Sequence, residues 1–88
     1  MSTQTYSLYV ERRDGARNMA RYYALDITTT LFGDICLIRT WGRIGKRGQS
    51  RHHHFVREED AVDLFLDLAR RKRARGYHLP PGAEAARG

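Results

Sequence analysis

The chain is poor in the residues that would tie it to an oxidising compartment or a membrane. Among 88 residues Cys36 is the only cysteine, so no intramolecular disulfide can form and oxidising secretion is not implied. No apolar run exceeds four residues, as in "ICLI" at 35–38, whereas a bilayer span needs about 20. The N-terminal "MSTQTYSLYV" is polar and lacks the charged-then-apolar layout of a secretory signal. These absences set the expectation of a cytoplasmic protein with no membrane partner. The only two prolines, Pro80 and Pro81, fall in "HLPPGAEAARG". This tail, residues 78–88, is expected to be disordered, outside a single domain over residues 1–77.

Catalytic sets are missing as well. No Cys-His or Ser-His-Asp constellation can be argued from spacing, and the acids gather on one helical face. A chain this short buries only about 60–65% of the surface its unfolded form exposes, so its core is modest. A binding module is expected rather than an enzyme, with no cofactor and no small-molecule substrate.

What the sequence has in excess is positive charge. Lys+Arg number 16 against 10 Asp+Glu, a formal net charge of +6, which favours a polyanionic partner, nucleic acid ahead of an anionic membrane. The excess is local. Arg39 to Arg57 holds six Lys/Arg and no acid, with Trp41 among them, and Arg70 to Arg75 holds five more. Basic side chains neutralise phosphates and aromatic rings stack on bases or sugars. The alternatives are Trp41 as a core anchor and Arg70 to Arg75 as the complement of a helix end.

Periodicity places these residues on elements. "TYSLYVE" at 5–11 sets Tyr6, Leu8 and Val10 on one face of a strand, and "RYYALDIT" at 21–28 does the same for Tyr23, Leu25 and Ile27. A third strand puts Ile35, Leu37, Arg39 and Trp41 on one side and Cys36, Ile38 and Thr40 on the other. "GRIGKRG" at 42–48 reads as a turn and Gln49 to Val56 as a fourth strand. From about Arg57 to Arg75 the period becomes helical: Ala61, Leu64, Phe65 and Leu68 form a stripe, widened by Val62, Leu66 and Ala69, and Gly76 stops it. Strands followed by one amphipathic helix predict an α+β fold, an antiparallel β-sheet with one long α-helix packed across it.

Two conspicuous features promise less. His52 and His54 share a strand face while His53 points away, so the run offers too few ligands for a metal site and reads as exposed residues gaining charge towards pH 6. Gly42, Gly45 and Gly48 lack the spacing of a phosphate loop and read as turn glycines, although a turn can still present N–H groups to a phosphate.

"WGRIG" at 41–45, the following Gly48-Gln49, "RYYAL" upstream, Ala61 and Phe65, Lys72, and "RGY" at 75–77 together resemble the WGR domain, over about residues 18–77. The resemblance implies an antiparallel sheet with one helix. In poly(ADP-ribose) polymerases this domain binds DNA at strand breaks and relays the event to a separate catalytic domain. Its Trp packs against a terminal sugar and basic side chains hold the 5′ phosphate region. Carried over, those roles fall on Trp41 and Arg43. Arg39, Gly42, Lys46, Arg47, Lys72, Arg73 and Tyr77 join the candidate DNA-binding set by region. The 88 residues leave no room for the transferase domain, and "NMARYYAL…LFGD" is similar to the free-standing WGR proteins of bacteria. The expected function is a non-enzymatic module recognising DNA ends, nicks or gaps, nucleoid-associated if so. The alternative is an adaptor docking a partner enzyme through the Trp41–Arg43 surface, because the motif Arg of the larger relatives also touches neighbouring domains.

Overall fold

The alternating segments resolve into four antiparallel strands in the order in which they occur along the chain. The structure is a computed structural model and describes residues 6–82. Strand β1 spans Tyr6–Asp14, β2 Met19–Thr29, β3 Ile35–Arg43 and β4 Gln49–Phe55, and helix α1 spans Glu58–Ala74. The fold is α+β, with the helix laid on one face of the sheet.

Register decides which side chains meet. Val10 lies opposite Tyr23, which lies opposite Trp41; Leu8, Leu25 and Arg39 form the next row, and Tyr6, Ile27 and Leu37 the one after. All three rows face α1. Val10, Tyr23, Leu25 and Leu37 bury there against Phe65, Leu68 and Tyr77, flanked by Tyr6, Leu8, Ile27, Trp41, Phe55 and Leu64. Fully burying a leucine such as Leu25 or Leu37 stabilises by about 1.5–3 kcal/mol. Cys36 is also buried, on the face turned away from the helix, as expected for a strand apolar on both sides.

The helix ends in a left-handed glycine. Gly76 has φ of +94°; its N–H donates to the Arg73 carbonyl, while that of Tyr77 donates to the Lys72 carbonyl. This paired closure turns the chain back and drives the Tyr77 ring into the core. Acids in the first turn and Arg71, Lys72 and Arg73 in the last complement the helix dipole.

Several expectations need correction. β1 and β2 extend past the alternating pattern to pair Arg12, Arg13 and Asp14 with Arg21, Ala20 and Met19, since a hairpin end beyond the core needs no apolar face. A short 3₁₀ turn, Gly15–Arg17, and Asn18 at φ 51° make the connection. Gly42 and Arg43 belong to β3, paired with Tyr22 and Arg21, so the turn begins only after them. Leu66, counted in the buried stripe, is 52% exposed, because its position falls outside the arc that meets the sheet. After the helix, His78 exchanges two backbone hydrogen bonds with Glu11, at 2.7 and 2.8 Å. Residues 83–88 of the expected tail lie outside the described residues. No helix among the described residues is long and apolar enough to cross a membrane.

Candidate nucleic-acid interface

The site starts from the β2–β3 ladder. Trp41 is half-buried, set between Tyr23 of β2 and Gln49 of β4 on the helix side. Two residues earlier on the same face, the Arg39 guanidinium carbon lies 5.6 Å from the Trp41 ring centroid and 6.0 Å from that of Tyr23. Its Nε donates to the Tyr23 hydroxyl at 2.9 Å. The last turn of α1 adds Lys72, whose Nζ lies 4.4 Å from the Tyr23 centroid and 5.3 Å from that of Tyr77. Tyr23 and Tyr77 meet edge to face at 6.3 Å. Two cations and three aromatic rings thus form one cluster, drawn from two strands, the helix and the segment just past its cap.

The cluster is electrostatically unbalanced. Burial, and then the nearby charges of Arg75, Arg39 and Arg21, push the Lys72 ammonium below the ordinary lysine range. Ion pairs among the described residues form elsewhere, at Arg13–Glu11, Arg17–Asp14, Arg57–Glu59 and Asp67 with Arg70 and Arg71. Arg21, Arg39, Lys72 and Arg75 have no carboxylate partner among them. A surface of this kind has self-repulsion that a polyanion relieves.

The motif glycines build the strand end beside it. A Cβ on Gly42 would come 2.8 Å from the Gly48 Cα, and one on Gly48 would run into the Trp41 carbonyl oxygen and the Tyr22 hydroxyl. Both residues are glycine because two chain segments touch across the base of the turn. Gly45, at φ +87° with open space around it, supplies the reversal itself.

The WGR domain family matches this chain over residues 6–84. The chain belongs to the WGR domain family. WGR domains are small nucleic-acid-binding modules, and the match indicates no catalytic family. Uncharacterized protein y4dW of Sinorhizobium fredii is 65% identical over 81 residues, which is 92% of this chain and 40% of that protein. The chain therefore spans well under half the length of that relative. No solved structure matches it.

In this WGR domain the expected residues divide into groups. Trp41, Arg39, Lys72 and Tyr77 come together around Tyr23. Arg43 is exposed at the strand end next to Arg21, with Nη1 donating to the Asn18 carbonyl at 3.2 Å and Nη2 at 3.5 Å from the Asn18 side-chain oxygen. Lys46 and Arg47 are exposed on the turn that continues the Trp41 strand. Gly42 acts through backbone packing, and Arg73 lines a different groove with Leu8, Val10 and Leu79. Sequence reasoning missed Tyr23, which is 1% exposed and forms the floor of the cluster, as well as Arg21. The strand register was the signal that would have found Tyr23.

In the histidine run His53 alone needs correction, His52 and His54 being exposed as expected. His53 faces α1, its Nε2 is buried without a partner among the described residues, and its pKa is lowered, first by burial and then by Arg39 and Arg51. It resists protonation instead of adding charge. No group of three or more potential metal ligands occurs among the described residues.

Proposed function

We propose that this WGR domain binds DNA, with preference for ends, nicks or gaps, through the face on which Trp41, Arg39 and Lys72 converge. The observation that carries the reading is the cluster of cations and rings with no carboxylate partner among the described residues. Trp41 offers a ring for a terminal sugar or base, stiffened by Arg39 behind it. Arg21, Arg39, Lys72 and Arg75, with Lys46 and Arg47 on the adjoining turn, meet phosphates. Tyr23 and Tyr77 hold Arg39 and Lys72 in place without reaching the ligand. Arg43, tied to Asn18, steadies the strand end. In this role the protein acts in the cytoplasm, at the nucleoid.

If about four of these six cations each neutralise a phosphate, the log–log salt slope on duplex DNA is about −3.6. The test is a titration comparing a 5′-phosphorylated nicked duplex, a closed circle, single-stranded DNA and single-stranded RNA. Tightest binding to the nicked duplex is expected. Equal affinity for nicked and closed DNA would remove the end preference, and tighter binding to RNA would remove DNA as the ligand.

A further inference from the structure

The far end of the sheet from Trp41 has an opposite character. The β2–β3 loop leaves Thr29 and returns at Ile35, which pairs with Phe55 at the end of β4, so this loop and the start of the β4–α1 connection project from the same end. Leu31 at the loop tip is fully exposed, Phe32 beside it is 92% exposed, and Val56 is 92% exposed. The tip is not slack. The Thr30 N–H donates to the Asp34 carbonyl at 2.8 Å, the Gly33 N–H to the Thr30 carbonyl at 3.0 Å, and Thr30 Oγ1 accepts from the N–H groups of Phe32 and Asp34. Gly33, at φ +87°, closes the turn. These hydrogen bonds fix the backbone of the turn that carries Leu31 and Phe32.

Charge at this end is negative. Asp34, Glu58, Glu59, Asp60 and Asp63 are all exposed, and the one basic residue in these segments, Arg57, is already bound to Glu59 at 2.7 Å. Beside the helix start lies a shallow groove of about 410 Å³, lined by Tyr6, Glu58, Glu59, Val62 and Asp63. Its walls are an aromatic ring and an aliphatic side chain and its rim is acidic, which suits the apolar stem and charged head of a lysine or arginine.

We propose that this end is a docking surface for a protein segment in which a large apolar residue is flanked by lysine or arginine. The apolar residue seats on Leu31, Phe32 and Val56, and the basic side chain enters the acidic groove. Charge complementarity selects this occupant. A second copy meeting the same end would bring its own carboxylates against these, and an anionic lipid surface would be repelled. From Ile35 to Arg43, β3 is about 26 Å long, so this surface and the Trp41 cluster can be occupied together. The proposal stands independently of DNA binding.

A random peptide library displayed on phage, selected against the immobilised 88-residue chain, tests it. Enriched peptides should include a class with Phe, Leu, Ile or Trp close to Lys or Arg. That class should lose at least tenfold in affinity for a Leu31→Ser/Phe32→Ser variant and for a Glu58→Lys/Asp63→Lys variant, while both variants keep their circular dichroism spectrum and the DNA titration of the first is unchanged. The proposal is overturned if no such class is enriched or if its binding survives both variants. It is equally overturned if sedimentation shows self-association that Phe32→Ser abolishes, because the occupant is then a second copy.

Discussion

The ammonium of Lys72 lies 4.4 Å from the centre of the Tyr23 ring, and that same tyrosine faces Trp41 across the β2–β3 ladder. One buried ring therefore fixes the helix-borne cation relative to the strand-borne indole. The ring's attraction for a cation amounts to about 0.5–1 kcal/mol at a partly open site. Against it stand burial and the charges of Arg75, Arg39 and Arg21. On the proposed reading, Lys72 serves the ligand more than the fold.

Replacing it should separate the two roles. Lys72→Met keeps an unbranched apolar stem against Tyr23 and Tyr77 and removes the repulsion. The Tm should hold or rise, while DNA affinity falls and the salt slope shrinks by about 0.9, the share of one phosphate contact. Calorimetry and a salt-series titration of the same sample check both halves. A lower Tm with unchanged affinity would make Lys72 structural.

Salt should act on the wild-type protein in opposite directions. Between about 0.05 and 0.2 M the Debye length contracts from about 14 to about 7 Å, screening the unpaired guanidinium groups. Thermal melts should move upward over this range as DNA binding weakens. Melts that move downward would mean that the ion pairs, not the unpaired cations, dominate the balance.

The glycines offer a graded comparison. Gly48→Ala forces a methyl group into the Trp41 carbonyl and the Tyr22 hydroxyl, and since backbone must shift, the cost should reach about 3 kcal/mol. Gly45→Ala meets open space and only an unfavourable φ of +87°, for about 1 kcal/mol. Urea melts of the two variants should show that order. The Gly48 variant should also lose DNA affinity, because the displaced carbonyl belongs to Trp41.

Much of this fold was legible because burial writes itself into period. Tyr23, Leu25 and Ile27 alternate, and Ala61, Phe65 and Leu68 recur helically, since each set faces the core. Arg12, Arg13, Met19 and Ala20 carry no such pattern, because the hairpin end they build lies outside the apolar core. Gly42 read as the start of a turn, although its task is contact with Gly48 inside a strand. Trp41 and Arg39 were legible as candidates from local composition. Tyr23 was not, because its place beneath Lys72 depends on strand register and on where the helix lies, and neither is a local property.

His53 gives a pH signature. Its folded pKa is depressed below the ordinary 6.5, so near and below that value the unfolded chain binds protons more readily than the folded one. Stability is therefore full above about pH 6.5 and declines as pH falls towards the folded value. His53→Phe, which also removes the unpartnered Nε2, should flatten that decline between pH 7 and about 5. Equal slopes for wild type and variant would assign the decline to other groups.

The central claim is that nucleic acid meets the Trp41 face. Trp41 is the only tryptophan in the chain, so its emission reports on that face alone. Titrating a 5′-phosphorylated nicked duplex into the protein at low salt should quench this emission saturably, at lower concentrations than a closed circle does. Parallel anisotropy of labelled DNA should return the same Kd, and Arg39→Ala should weaken both signals. DNA that binds by anisotropy while leaving Trp41 emission unchanged would contradict the account, since the ligand would then lie on another surface.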